Sequence, residues 1–231
     1  MNKILLVEDE LEIREEVAEL LRQGHFLVHA LESGESLMQE LSQFEPNLLL
    51  LDYRLPGRDG VALLRSVRSN KEFRCLPIIM LTGVNGEEQK VAALDLGADD
   101  YVEKPFSPRE LVARVKAVLR RAECDTDEEG SDILEFKDLR VDLSSHKAEL
   151  KGQELPLTLT EFRILVELMR QKGKVLSRDR LRANALGNLN VSDRTIDVHM
   201  ASLRKKIEPL SRQIRTVRGV GYRMAESERG S

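Results

Sequence analysis

Leu48, Leu49, Leu50 and Leu51 run straight into Asp52, and Pro56 and Gly57 follow closely. Four leucines in a row have no polar face, so as a strand they need cover on both sides, the situation of a central strand in a parallel sheet. Proline and glycine downstream end the strand and leave Asp52 at its C-terminal end. In open parallel α/β sheets that edge is where ligands bind, in crevices between the covering helices. An aspartate ahead of a loop more commonly caps a helix or holds a turn, so the neighbours of Asp52 must decide between the two roles.

Those neighbours point one way. Residues 4–7, 26–30, 48–51, 78–81 and 101–102 are short β-rich runs. Between them apolar residues recur at helical spacing, as in Ile13, Val17, Leu20 and Leu21 or in Leu111, Val115, Val118 and Leu119. Alternating βα units predict a doubly wound α/β architecture, a parallel sheet with helices on both faces. Polar residues then converge at the strand ends: Glu8 and Asp9 after the first strand, Asp52 after the third, Thr82 after the fourth, Lys104 and Pro105 after the fifth.

Glu8, Asp9 and Asp52 crowd negative charge that is costly unless something positive sits among it, and a hard, oxygen-liganded cation such as Mg²⁺ fits. Mg²⁺ keeps several waters and takes one or two carboxylates, which leaves room for a phosphoryl oxygen. Lys104 adds a point charge suited to phosphate. Asp52, the most central acid, is the candidate nucleophile for an aspartyl phosphate. Singly, each residue has an ordinary structural reading: Glu8, Asp9 and Thr82 as helix caps, Lys104 as a solvated surface charge. Five of them at the strand ends of one domain form a specific set.

With 231 residues the chain has room for two domains. No apolar run approaches the roughly 18–20 residues of a membrane span, and the N-terminus enters the apolar run Ile4-Leu5-Leu6-Val7 directly, so a soluble, unexported, cytoplasmic protein without membrane partners is expected. Cys75 and Cys124 lack metal-ligand spacing, and neither has a histidine or second cysteine nearby in sequence.

The net charge of −4 hides an asymmetry. Residues 1–121 carry 16 Lys+Arg against 21 Asp+Glu, residues 122–131 add five acids and no base, and residues 163–223 carry 15 bases against 5 acids, a net of +10. Residues 122–132 are almost without apolar side chains and read as a flexible acidic linker. The basic stretch beyond it is the electrostatic footprint of a phosphate-backbone partner.

Past the linker, residues 133–136, 139–143, 147–150 and 154–157 alternate in short segments split by turns and predict a small antiparallel sheet. Thr158-Leu159-Thr160-Glu161 carries a helix-capping signal, a second helix is expected around 178–181, and a third from about 192 to 207. On the third, Ile196, Met200, Leu203 and Ile207 form one apolar stripe, with Arg194, Thr195, Asp197, Val198, Ala201, Ser202, Arg204 and Lys205 on the other faces. Such a helix, placed after two others, suits the DNA major groove, and the arginine-bearing hairpin of residues 214–223 suits a neighbouring minor groove.

These residues carry two resemblances. Residues 1–121, with Glu8-Asp9, Asp52 ahead of Pro56-Gly57, Thr82 and Lys104-Pro105-Phe106, resemble the receiver domain of two-component response regulators. That resemblance implies a flavodoxin-like five-stranded sheet of order 2-1-3-4-5 and a histidine kinase that phosphorylates Asp52. It implies Mg²⁺ held by Asp9, Asp52 and the backbone carbonyl of Arg54, with Glu8 acting through water. Thr82 and Lys104 would bind phosphoryl oxygens, Tyr101 would be the aromatic switch, and the Lys104–Pro105 peptide would be cis. A phosphoryl group adds about −1.5 to −2 of charge, drawing Thr82 toward Asp52 and biasing the face of residues 87–96, 99–101 and 107–121. On that face Asp99 and Asp100 oppose Lys90, Arg114 and Arg121, so in a two-fold homodimer each acid could meet the partner's base. Gly83, where alanine is frequent, and Arg54 depart from the commonest pattern beside the phosphoryl site.

Residues 133–226 resemble the winged-helix effector domain of OmpR/PhoB-type regulators, through Leu157-Thr158-Leu159-Thr160-Glu161-Phe162, Arg194-Thr195-Ile196-Asp197-Val198-His199-Met200 and Thr216-Val217-Arg218-Gly219-Val220-Gly221-Tyr222-Arg223. That implies promoter DNA contacted by Arg194, His199, Arg204, Thr216 and Arg218. RNA polymerase is a further partner, although residues 183–190 lack the aromatic often found there. The expectation is a phosphorylation-switched, DNA-binding transcriptional regulator that is not an enzyme beyond slow autodephosphorylation. The alternative is a Mg²⁺-dependent phosphohydrolase with an aspartyl-phosphate intermediate; such enzymes usually place a second Asp two residues after the nucleophile, where this chain has Arg54.

Overall fold

The computed structural model of the protein describes residues 1–57, 59–83, 92–123, 133–186 and 193–225, the side chains of 121–123, 193, 194 and 209 excepted. It divides into two compact units, Met1–Leu119 and Arg120–Ser231. Among the described residues no helix is long and apolar enough to cross a membrane.

In the first unit β1 (Lys3–Val7), β2 (Leu27–Leu31), β3 (Leu48–Asp52), β4 (Ile78–Thr82) and β5 (Asp100–Glu103) form one parallel sheet of order β2-β1-β3-β4-β5. The leucine run explains its centre. Leu48 and Leu50 face one side with Ile4, Leu6, Ile79 and Leu81, under α1 (Leu11–Gln23) and α4 (Pro108–Glu123). Leu49 and Leu51 face the other with Leu5, Val7, Ile78 and Met80, under α2 (Leu37–Phe44) and α3 (Gly60–Ser69). All four leucines are fully buried, and each contributes roughly 2 kcal/mol by leaving water.

The second strand begins one residue later than expected. Phe26 donates its N–H to the Leu21 carbonyl and His25 donates to Arg22, so the turn that closes α1 takes the amide that would have opened β2, while the Phe26 ring fills the core. At the other end α4 continues through Ala122 and Glu123, two residues of the expected linker; residues 124–132 lie outside the described set.

The second unit opens with an antiparallel sheet, β6 (Ile133–Phe136), β7 (Leu139–Asp142), β8 (Lys147–Leu150) and β9 (Gln153–Glu154). The last strand was expected over 154–157 but pairs only two residues. Pro156 has no N–H to extend the ladder, and Leu157 turns into the core instead. Three helices follow: α5 (Leu159–Arg170), α6 (Arg178–Leu186) and α7 (Asp193–Lys206). A capping box opens α5, with Thr158 accepting from the Glu161 N–H and Glu161 accepting from the Thr158 N–H. β10 (Leu176–Ser177), β12 (Gly221–Met224) and β11 (Ile214–Val217) make a second antiparallel sheet, whose last two strands form a hairpin. Ile196, Met200, Leu203 and Ile207 are fully buried in this unit's core, so the predicted stripe is the packing face of α7.

Candidate functional site

Parallel strands deliver their C-terminal residues to one edge, and here that edge is acidic. Glu8 follows β1, Asp52 ends β3, and ligand atoms of Glu8, Asp9 and Asp52 all lie within 4.8 Å of one another. Neither Glu8 nor Asp9 caps α1; the N-cap is Glu10, and its side chain makes no capping bond. Glu8 and Asp52 are buried, whereas Asp9 is only partly buried at the mouth.

Lys104, brought in after β5, is not a solvated surface charge. Its Nζ donates to Oδ2 of Asp52 at 2.8 Å and to Oε1 of Glu8 at 2.8 Å, with Oε2 of Glu8 at 2.7 Å. Burial alone would lower the ammonium's pKa, but the bonds to Asp52 and Glu8 outweigh it and hold it above its ordinary value. Burial pushes Glu8 up to about 7 against the pull of the same ammonium, with the nearby Asp52 charge adding to the rise. The Lys104–Pro105 peptide is cis, and the Lys104 N–H donates to the Thr82 carbonyl at 2.7 Å. Thr82, buried at the end of β4, thus borders the strand that carries Asp52.

The start of α3 packs tightly against the end of β3. Gly60 donates its N–H to the Tyr53 carbonyl, and a Cβ on Gly60 would come 2.0 Å from the Asp52 carbonyl oxygen. Asp59 caps α3 by accepting from the Val61 N–H. On the β1 side, Arg14 donates to the backbone carbonyls of both Glu8 and Asp9, at 2.8 and 2.9 Å. Sequence reading missed that clamp, since nothing in the spacing marks an arginine that serves backbone oxygens. A carboxylate trio with a partly exposed member and no soft ligand fits a hard cation such as Mg²⁺.

The charges expected to face a dimer partner are used inside the chain. Asp99, 1% exposed, accepts from Arg68 Nη2 and from the Ile78 N–H, both at 2.9 Å. Asp100, also 1% exposed, accepts from Arg114 Nη1 at 3.1 Å, and Arg114 also bonds Glu110. Asp99, Asp100 and Arg114 are therefore corrected from exposed partners of a second copy to buried, intramolecularly paired groups. Lys90 lies outside the described residues, as does the Arg121 side chain. Tyr101 is half-buried and packs against the core cluster that holds Met80 and Ala98.

In the second unit α7 and the β11–β12 hairpin present the predicted basic face in part. Thr216 and Arg218 are exposed on the hairpin, and Ala201 and Lys205 are exposed on α7. His199 is corrected: it is fully buried, lying three residues from Ile196 and four from Leu203 and hence on the packing stripe, so it offers nothing to DNA. Thr195 and Ser202, placed by sequence on an outer face, are also buried, and Ser202 donates to Glu161 Oε1 at 2.6 Å. Lys206 donates to the other Glu161 oxygen at 2.6 Å, so the capping acid of α5 also anchors α7. Arg204 turns toward the hairpin, donating to the Ile214 carbonyl at 2.7 Å and to the Thr216 hydroxyl at 2.9 Å. The Arg194 side chain is outside the described set.

Comparison with known proteins agrees with this division. Residues 4–116 match the family model for the response regulator receiver domain, and residues 152–224 match that for the C-terminal domain of transcriptional regulatory proteins. The phosphate regulon transcriptional regulatory protein PhoB of Escherichia coli K12 is 41% identical over 227 residues, covering 97% of this chain and 98% of that one. The sensory transduction protein RegX3 of Mycolicibacterium smegmatis is 40% identical over 232 residues, covering 97% and 99%. The solved response regulator DrrB of Thermotoga maritima, an OmpR/PhoB homologue, is 32% identical with a TM-score of 0.50, covering 98% of this chain and all of that one.

Proposed function

The chain belongs to the two-component response regulators of the OmpR/PhoB type, transcriptional regulators with a receiver and a DNA-binding domain, and on that premise we propose that Asp52 is its phosphoacceptor. The supporting observation is the shared ammonium: Lys104 bridges Asp52 and Glu8 at the C-terminal edge of the sheet, with Asp9 open to solvent beside them. An Asp52 carboxylate oxygen attacks the phosphorus of a kinase phosphohistidine; the P–N bond breaks and its electron pair returns to the imidazole. Asp9, Asp52 and the Arg54 carbonyl would hold Mg²⁺, with Glu8 acting through water, and the bound cation would supply positive charge to offset that of the transferred group. Lys104 and Thr82 take phosphoryl oxygens, and the move of Thr82 toward the new charge biases Tyr101. Slow autodephosphorylation returns the switch.

Residues 1–121 act as receiver, 122–132 as linker and 133–226 as effector, in the cytoplasm. Phosphorylation favours a homodimer, and Arg194, Thr216 and Arg218 contact promoter DNA, from which RNA polymerase is engaged. A phosphohydrolase reading is not favoured: Arg54 stands where a general acid would, and the second half matches a transcriptional regulator domain. The test is labelling of the full chain by acetyl phosphate with Mg²⁺. Alkali- and hydroxylamine-labile label on the native protein and none on Asp52→Asn is expected; label that persists in Asp52→Asn refutes the assignment.

A further inference from the structure

The hairpin β11–β12 has four residues in each strand, and an isolated two-stranded ribbon of that size is marginal in water. Its pairing with β10 is only two residues long, so side-chain attachment to α7 adds to what sets its geometry. The Tyr222 ring meets two guanidinium groups, with Arg178 Cζ at 5.1 Å and Arg204 Cζ at 5.3 Å from its centroid. The Tyr222 hydroxyl donates to Oδ1 of Asp197 at 2.7 Å, and Arg178 Nε donates to that same oxygen at 2.8 Å. Arg204 completes the circuit through the Ile214 carbonyl and the Thr216 hydroxyl on the opposite strand.

These groups come from the start of α6, two positions on one side of α7, and both strands of the hairpin. The backbone is as closely fitted: Leu176 pairs with Tyr222, and a Cβ on Gly221 would come 1.9 Å from the Leu176 carbonyl oxygen. Tyr222 is 4% exposed. Burial and the bond to Asp197 push its hydroxyl up to about 12, so it remains a donor throughout the physiological range.

We propose that Arg178, Asp197, Arg204 and Tyr222 form a brace that fixes the angle between α7 and the hairpin, with Arg204 and Tyr222 acting as positioning residues for DNA binding. A helix and a hairpin that enter adjacent grooves must be correctly spaced before contact, and a pre-set angle removes the ordering cost that would otherwise fall on binding. The proposal rests on the reading of α7 and the hairpin as the DNA face. The brace itself is a property of the free protein.

Two measurements on the full chain separate the claims. The first is amide hydrogen exchange of residues 214–217 and 221–224 without DNA; the second is the affinity for a random-sequence duplex across a salt series. Arg204→Lys keeps the charge but loses the planar fork that stacks on Tyr222 and reaches two acceptors, and Tyr222→Phe keeps the ring but loses the bond to Asp197. Both variants are expected to speed hairpin exchange about tenfold and to weaken duplex binding several-fold, and Arg204→Ala is expected to leave the salt slope unchanged. Asp197→Asn, nearly isosteric, serves where either variant loses its fold. Native exchange in these variants overturns the brace, and faster exchange with native affinity overturns the positioning role. A salt slope lower by about 0.9 in Arg204→Ala overturns it too, since Arg204 would then be a direct phosphate contact. Native affinity in Arg218→Ala would instead count against the DNA-face reading while the exchange data still decide the brace.

Discussion

The Nζ of Lys104 lies 2.8 Å from Oδ2 of Asp52, which precedes it by 52 residues, and it is shared with Glu8. One ammonium thus serves two buried carboxylates while a third, the partly exposed Asp9, stands beside them. Any cation, proton or phosphoryl group that enters the pocket alters a balance in which Lys104 bonds both buried carboxylates.

Removing that ammonium exposes the imbalance. Lys104→Met should destabilise the receiver unit by about 3 kcal/mol at pH 8, because breaking a buried pair leaves its acids uncompensated. A cation that binds only the native state stabilises it, by roughly 2.7 kcal/mol at a hundredfold excess over its Kd. Mg²⁺ should therefore recover most of the loss, and raise the midpoint of urea denaturation more in Lys104→Met than in the native protein. A variant whose midpoint ignores Mg²⁺ would remove the metal reading of Glu8, Asp9 and Asp52.

The raised Glu8 carboxyl makes stability depend on pH. In the unfolded chain the group titrates near 4.5, and in the pocket at about 7, so the native state holds a proton that the unfolded state releases. The corresponding stability is fully present below pH 4.5 and is lost as pH rises through 7, a fall of about 3 kcal/mol from this one group. Urea denaturation in EDTA between pH 5 and 8 should show that decline, and Glu8→Gln should flatten it. An equal decline in the variant would assign the dependence elsewhere.

What could be read from the sequence, and what could not, follows from range. β3 was legible because a leucine run admits no amphipathic alternative, and the pocket was legible because parallel strands bring their ends together wherever the helices pack. The fates of Asp99 and Asp100 were not. Composition marks them as charges, but their partners Arg68 and Arg114 lie 31 and 14 residues away, and only the packed fold buries them. His199 sits at the spacing of the apolar stripe, a signal that was present and was outweighed by its polar chemistry. The start of β2 failed for a local reason, the loan of the Phe26 amide to the turn that ends α1. The contact of Tyr222 with two arginines needed the hairpin packed near α7, which no pattern along the chain encodes.

Two glycines near the phosphoryl site should respond oppositely to a methyl group. Gly60→Ala places a Cβ 2.0 Å from the Asp52 carbonyl oxygen, and that atom is backbone, so the loop must move. A loss of about 3 kcal/mol and a large fall in acetyl phosphate labelling are expected. Gly83→Ala meets nothing within 4 Å and should leave stability within about 0.5 kcal/mol. The departure from alanine at Gly83 is thus no steric necessity. Denaturation midpoints of the two variants check both statements, and a severe loss in Gly83→Ala would contradict the open space beside it.

Exposed and buried positions on the basic face should separate affinity from preference. Arg218, exposed at the hairpin, is expected to contact phosphate, so Arg218→Ala should weaken binding to all duplexes alike and lower the salt slope by about 0.9. Ala201, exposed on α7, is placed to meet base edges in the major groove, so Ala201→Arg should change which sequences are selected from a random pool. Ser202 beside it should do neither directly. Its hydroxyl is bonded to Glu161 inside the domain, and Ser202→Ala should cost about 1–2 kcal/mol of stability while the selected sequences stay the same. A selection that shifts with Ser202→Ala and not with Ala201→Arg would mean that α7 meets DNA through a different face.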